Sequence, residues 1–431
     1  MRYYIAFFCL AFFCNSIQLK AQFSVDAQLR MRAEINQGYL LIAGPETDFL
    51  AGVSQRSRLG FSYGKDQVSM RLNIQDIRAW GGETFYTATG AWANQALDVF
   101  EAWMEMKLTD KAHLRLGRQI LSLDDERLIA ERNWNQYGQA YDALRYRRTD
   151  AQWETEAVLS YNNKNSTVTG TPSGVDEYYS DKNRIRMLNY LWIRRALCAN
   201  TRLSYSMITS GYQSPRFENV LYVSGTSGFH LAHKKELMAL NANLFGQFGR
   251  NIHGRRVEAW MATFSGSYAL GRWQAGVGAD LLSGNDGSRT EADYLDKDHS
   301  FDLLYGARFK FNGYMNQFAN LDAATGSAGL IDVYPFVKYA LGKENDLRFL
   351  LHLFRTAQKS IPGMDQSQTA FLGTEADLMY TQHFAQGIRL QAGASLFFPT
   401  ETMEALKGLD KGTSRLSWWT WVMLTYQPRL W

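Results

Sequence analysis

The chain has 431 residues, with 46 basic against 42 acidic side chains and a net charge of +4 at neutral pH. That balance gives no electrostatic reason for nucleic-acid binding, and seven prolines with no Pro/Ser-rich linker give no sign of separate soluble domains. Aromatic residues reach 14% while mean hydropathy is only −0.32, and the mature part has no apolar run long enough for a spanning helix.

Residues 1–21 read MRYYIAFFCLAFFCNSIQLKA. Arg2 is followed by an apolar run, Tyr3–Phe13, of about 11 residues, which predicts a secretory signal ending near Leu19-Lys20-Ala21. Bulky Phe13 before Cys14 argues against a lipoprotein site. Cys9 and Cys14 leave with the signal, so Cys198 stays alone and neither a disulfide framework nor a cysteine metal site is expected.

From residue 22 the dominant signal is a period of two. Val25, Ala27, Leu29, Met31, Ala33 and Ile35 fall on one face, with Arg30, Arg32 and Glu34 on the other. The pattern returns at Val68–Ile74 around Arg71, at Trp153–Tyr161 around Glu154 and Glu156, at Leu203–Met207 beside Arg202, and at Ile388–Leu396 around Arg389. Each segment is roughly 9–12 residues, the length of a tilted bilayer-crossing strand. The connectors alternate as well. Short joins (64–66, 109–110, 149–150, 195–198, 232–234, 270–271, 342–344, 382–384) interleave with longer ones (36–53, 80–96, 122–140, 162–183, 210–219, 248–254, 285–327, 358–367, 399–414), as turns and loops do at the two rims of an outer-membrane barrel. Residues 301–313 are ambiguous between loop and an added hairpin. The last strand carries Trp418, Trp419, Trp421 and Tyr426, expected as an interfacial girdle, and ends on Trp431. The predicted fold is all-β: residues 22–431 form one transmembrane, antiparallel, up-and-down barrel of about 18 strands in the outer membrane of a Gram-negative bacterium.

If the apolar faces meet lipid, the polar faces line a lumen wide enough for water unless loops plug it. The lumen candidates are Arg30, Arg32, Arg56, Arg58, Arg71, Arg115, Arg145, Arg147, Arg184, Arg186, Arg202, Arg348 and Arg389, with Glu34, Glu101, Glu105, Glu154 and Glu156 as acidic partners. Rings of arginine select anions and bind carboxylates as a fork. The competing reading is that Arg and Glu simply pair across strands and stiffen the wall.

Residues 97–148 carry Leu116-Gly117-Arg118-Gln119, Asp125-Glu126-Arg127-Leu128, Trp134, Gln136, Gly138 and Tyr141-Asp142-Ala143. Residues 281–336 carry Ser283-Gly284, Phe301, Leu304-Tyr305-Gly306, Gly313-Tyr314-Met315, Gly329-Leu330 and Tyr334. Together these stretches resemble the alginate export family of outer-membrane barrels. The resemblance implies an 18-stranded one-chain pore with a basic constriction that passes a polyuronate. The chain departs from the family's Ser-Gly-Asp by reading Ser283-Gly284-Asn285-Asp286, and it bears no mark of which polymer it serves.

Other motifs are weaker. Asp286, Glu291, Asp293, Asp296 and Asp298 offer oxygen ligands for calcium, but without the D-x-[DN]-x-[DN]-G spacing; a solvated acidic loop is the expectation. His230 and His233 fall on opposite faces of a strand, so a shared metal is not expected. Tyr137–Tyr141 either folds inward and narrows the pore or packs as a loop tip. No nucleophile elbow, Walker loop, H-E-x-x-H or C-x-x-C is present, so neither an enzyme nor a cofactor is expected. The predicted function is a passive or gated channel for a polar, anionic solute, a carboxylated saccharide or a small carboxylate. The alternatives are a structural or adhesion barrel with a blocked lumen and, further off, an outer-membrane barrel enzyme. The expected partners are outer-membrane lipids, the solute, the barrel assembly machinery, and periplasmic proteins of export or uptake.

Overall fold

In hydrocarbon every backbone N–H and C=O must find a partner within the protein, and a sheet achieves this only by closing on itself. The computed structural model describes residues 22–80, 85–86, 92–93, 97–162, 185–214, 217, 220–365 and 368–430. The predicted signal, Arg184 and Trp431 lie outside the described residues. Eighteen long strands make the wall: β1 Gln22–Gln37, β2 Leu50–Lys65, β3 Val68–Ala79, β4 Asp98–Thr109, β5 Ala112–Gln119, β6 Tyr141–Thr149, β7 Trp153–Ser160, β8 Ile185–Cys198, β9 Thr201–Gln213, β10 Leu221–Lys235, β11 Met238–Arg250, β12 Arg256–Leu270, β13 Trp273–Leu282, β14 Leu330–Ala340, β15 Asn345–Arg355, β16 Phe371–His383, β17 Ile388–Pro399 and β18 Ser417–Tyr426. Each pairs antiparallel with its neighbours. β1 closes the ring against β18 in a register running from Leu29↔Tyr426 to Gln37↔Trp418.

The alternation read from the sequence is present in the wall. On β1, Leu29, Ala33 and Ile35 are exposed on the outer face while Arg30 is buried on the inner one. The same switch runs along β3, where exposed Val68, Met70 and Leu72 alternate with Arg71 and buried Asn73. Joins after even-numbered strands are tight turns; those after odd-numbered strands are longer, up to residues 283–329. The short-turn rim is the periplasmic one in such barrels.

One expectation changes, and the open reading of residues 301–313 resolves. Trp418 and Tyr426 do point outward, but Trp419 and Trp421 are buried in the lumen, not at a lipid interface. Successive strand residues face opposite sides, so four aromatics on one strand cannot form a single girdle. Residues 301–313 add no wall hairpin. They belong to the long inward loop 283–329, which contains a 3₁₀ turn at Arg308–Lys310 and a short helix, α1, at Leu321–Thr325. The buried apolar cluster joins inward loop residues, including Leu121, Ile129, Phe301, Met315 and Phe318, to inward-facing strand residues such as Tyr190, Met261, Phe354 and Trp419.

Candidate functional site: a lumen narrowed by two docked loops

Four of the predicted lumen arginines clamp one loop segment. Arg30 donates to the carbonyls of Asn133 (2.5 Å) and Asn135 (2.6 Å) and to Gln136 Oε1 (2.9 Å). Arg56 donates to the carbonyls of Gln136 (3.1 Å) and Asn135 (3.3 Å) and to Asn133 Oδ1 (2.7 Å). Arg32 reaches the Trp134 carbonyl (3.3 Å), and Arg58 the Tyr137 carbonyl (3.2 Å) while lying 3.5 Å over the Phe100 ring. Arg30 is 2% exposed and Arg56 0%. Their donors are occupied by residues 133–136 and, for Arg56, also by Gln28, so in this conformation they present no free fork to a solute.

The far side of the same loop, 120–140, reaches the opposite wall. Asp124 accepts from Trp192 on β8 (3.1 Å) and Ser204 on β9 (2.7 Å), Asp125 from Asn243 on β11 (2.9 Å), and Arg127 bonds Asp280 on β13 (2.6 Å). Loop 283–329 docks onto it. The Tyr305 and Ala307 amides donate to the Leu128 and Glu126 carbonyls (both 2.9 Å), Arg132 donates to the Gly306 carbonyl (3.0 Å), and Lys310 pairs with Glu126 (3.1 Å). Gly306 lies so close to Arg127 that a side chain there would land on the Arg127 carbonyl. Aromatic rings seal the joint: Trp134 stacks on Phe309 (3.8 Å, 4°), Phe309 on Tyr314 (4.7 Å, 14°), and Trp134 meets Trp421 of the wall edge-on (4.6 Å, 72°).

Beside this joint lies a cavity of about 800 Å³, the size range of small-molecule sites. It is lined by Arg132, Arg308, Lys310 and Arg348, by Trp134, Phe309, Tyr314 and Tyr39, and by amides such as Asn133, Asn135 and Gln391; Glu126 and Glu131 are the acids. Burial raises the Glu131 carboxyl, an effect opposed by Arg58 and Arg56. Rings that can stack on a sugar or an aromatic acid thus stand next to guanidinium groups that can hold a carboxylate.

Most of the remaining predicted residues line the inner wall nearer the short-turn rim, largely as pairs, whereas Arg186 and Glu34 lie toward the long-loop rim. Arg71 bridges Asp26 (2.8 Å) and Glu101 (3.1 Å), Arg115 pairs with Glu105 (2.8 Å) over the Trp103 ring, Arg145 with Glu156 (2.5 Å), and Arg147 with Glu154 (3.3 Å). Arg115 and Arg145 nevertheless stand directly opposite each other across β5–β6. With Lys111, His113 and Arg147 they line a smaller cleft of about 250 Å³. Arg202 is exposed at this rim and Arg186 is buried on the inner face. Arg389 lies opposite Thr425 on the inner face, and Glu34 accepts from Trp419 (3.2 Å).

In the family-like stretch, Gly117 presses on the backbone of Ala102, Arg118 pairs with Asp142 (3.1 Å), and buried Gln119 donates to the Ala143 carbonyl (2.9 Å). The acidic loop does not converge. Asp286 caps Ser288, Asp293 pairs with Lys297 (3.0 Å), Asp296 lies 4.0 Å from Arg256, and Asp298 accepts from Asn251 (2.8 Å) and Asn285 (3.0 Å). Among the described residues no group of three or more acids, histidines or cysteines is disposed to hold a metal. The family-like stretches named Trp134 and Tyr314, but sequence reasoning missed Arg132, Arg308, Lys310 and Phe309, because they come from loops without periodicity. It also missed a row of buried acids on β13–β16.

A family model described as alginate export matches residues 21–414. No curated protein matches the chain by sequence. Among solved structures the chain is similar to OccK8 (OprE) of Pseudomonas aeruginosa, with 10% identity, coverage of 95% of this chain and 99% of that one, and a TM-score of 0.62. OccAB4 of Acinetobacter baumannii is similar at 11% identity, 96% and 100% coverage and a TM-score of 0.60. P. aeruginosa OpdK, solved with vanillate, is similar at 11% identity, 95% and 99% coverage and 0.59. At such identities the likeness speaks to the barrel alone, whereas the family model spans nearly all of it: the chain belongs to the alginate export family of Gram-negative outer-membrane β-barrel channels.

Proposed function

We propose that the lumen conducts a polar, anionic solute, a carboxylated saccharide or a small carboxylate, and that the protein does so as a channel without a catalytic step. The observation that carries this reading is the cavity of about 800 Å³, where Arg132, Arg308, Lys310 and Arg348 flank the Trp134–Phe309–Tyr314 stack. A cation set supplies the attraction, and ring faces supply a low-cost sliding contact for a flat or cyclic solute. Vanillate, found with OpdK, is a solute of that chemistry, an aromatic ring bearing a carboxylate. Nearer the periplasmic rim, Lys111, His113, Arg115 and Arg147 border a second cleft, together with Glu105 and Asp110. Periplasmic partners of export or uptake and the barrel assembly machinery complete the proposed setting.

Single-channel recording in planar bilayers tests the proposal. Anion-selective current steps that are blocked by a uronate oligosaccharide or an aromatic carboxylate, and not by a neutral sugar of the same size, are the expected result. The second reading, a structural barrel with a closed lumen, is favoured by the two loops that meet across the interior. Absence of current steps at every voltage would establish it and remove the first.

A further inference from the structure

The inner face of β13–β16 carries Asp280, Asp332, His352, Glu375 and Asp377, none more than 1% exposed. Asp280 and Asp332 stand directly opposite each other across β13–β14, and Glu375 stands opposite His352. Asp377 follows Glu375 on the same face two residues on. The compensating groups are few. Arg127 bonds Asp280 (2.6 Å), and His352 lies 2.8 Å from Asp332 and 3.8 Å from Asp377. Around them, Ser395 of β17 donates to Asp377 (2.5 Å) and Tyr334 of β14 stacks on His352 (5.0 Å). From the loops come Tyr314 and Asp125, the latter already engaged by Arg127 and Asn243. Arg348 of β15 lies further toward the short-turn rim, over Phe336 (5.3 Å). Four carboxyls therefore face one guanidinium and one imidazole in a space closed to water. Excess charge cannot be sustained there, and neighbouring carboxyls resolve the conflict by sharing a proton. Glu375 Oε2 and Asp377 Oδ2 are both buried without a hydrogen-bond donor from another group.

This pair is also where loop 283–329 is fastened. Glu375 Oε1 accepts the Met315 amide (2.7 Å), and a side chain on Gly313 would come within 2.5 Å of Glu375 Oε2, so the loop backbone wraps the carboxyl. The Met315 carbonyl in turn takes the Leu40 amide (3.0 Å), and Gln317 donates to the Gly38 carbonyl (2.6 Å), tying loop 38–49 to the same point. We propose that Glu375 and Asp377 share one proton, and that this protonated pair is a latch holding loop 283–329 across the lumen. When the proton leaves for lumen water, a further full negative charge remains in the dry strip. Water reaches it only if the loop lifts. The closed arrangement thus belongs to the low-pH side, and the lumen widens as pH rises. The change in current rests on the lumen being a conducting path; the shared proton and the fastening of loop 283–329 do not.

The full-length protein in planar bilayers and in vesicles decides the matter. Wild type is expected to show a larger current step as pH is raised from neutral to alkaline. Tryptic cutting after Arg308 or Lys310, which requires the loop to lift but needs no conduction, should increase over the same range. The infrared spectrum at neutral pH should contain the band of a protonated carboxylic acid, lost in Asp377→Asn. Glu375→Gln keeps an acceptor oxygen for Met315 but cannot titrate, and should stay closed at alkaline pH. Gly313→Ala displaces the loop without touching charge, and should be open at every pH. Heat-modifiable migration on gels identifies variants whose barrel is intact, and Asp377→Asn repeats the titration test should Glu375→Gln fail that check. The latch is refuted by a wild type whose cutting is flat with pH, by Glu375→Gln retaining the wild-type response, or by a carboxylic-acid band unchanged in both variants. Silent bilayers with pH-dependent cutting would instead remove the channel reading and keep the latch.

Discussion

Arg56→Ala should free residues 133–137 from the wall. Arg56 makes three bonds to that segment, to the carbonyls of Asn135 and Gln136 and to Asn133 Oδ1, plus bonds to Gln28 on its own wall. Bonds from a charged donor contribute about 1.5–3 kcal/mol each when the alternative is a buried orphan. Here the released carbonyls meet lumen water, so about 1 kcal/mol per bond is the better figure, or roughly 3 kcal/mol in all. At about 1.4 kcal/mol per factor of ten, the docked-to-free ratio falls by about two powers of ten. Arg30 still holds its own four contacts, so Arg56→Ala should flicker between two conductance levels, and the Arg30→Ala/Arg56→Ala pair should dwell in the larger. Arg56→Lys keeps the charge but loses the fork and should fall between wild type and Arg56→Ala. Single-channel recording reads the dwell times, and tryptic cutting at Arg132 reads the release independently. If the double variant keeps wild-type conductance and resistance to cutting while its barrel stays heat-modifiable, these arginines do not hold the loop.

Three further outcomes follow from individual contacts. Glu156 is 3% exposed and depends on Arg145 and the Tyr190 hydroxyl. Arg145→Ala should therefore cost about 3 kcal/mol in urea unfolding from vesicles, and the Arg145→Ala/Glu156→Ala pair should cost less, because no charge is left stranded. Burial holds the Glu131 carboxyl above the ordinary glutamate range, so its negative charge is present only above that raised value. Anion preference in reversal-potential measurements should rise as pH falls through it, and Glu131→Gln should show the high preference at neutral pH with no such rise. Gly306→Ala pushes a methyl onto the Arg127 carbonyl; separation of the two inward loops should appear as faster tryptic cutting at Lys310, and unchanged cutting would mean that the loops dock elsewhere.

What the sequence made legible is set by the range of the interaction. A period of two is local, so it placed Arg30, Arg71, Arg145 and Glu156 on one face within strands of 8 to 16 residues, and the closure β1–β18 follows once every strand needs two partners. The same rule, followed strictly, would have turned Trp419 and Trp421 inward; grouping them with Trp418 by composition overrode the alternation. What occupies the guanidinium donors is a different kind of fact. Arg30 meets Gln136 at a separation of 106 residues and Arg127 meets Asp280 at 153, and no local pattern encodes either. An inward arginine read from periodicity alone can face a solute or a carbonyl of its own chain. In this barrel the choice falls by level: near the joint of the loops Arg30 and Arg56 are held by residues 133–136, whereas toward the periplasmic rim Arg115 and Arg147 border an open cleft. Charge reversal at the first pair should therefore change how often the pore is open, and at the second pair which ions pass while it is open, so dwell time and reversal potential separate the two roles that alternation alone assigns to one class.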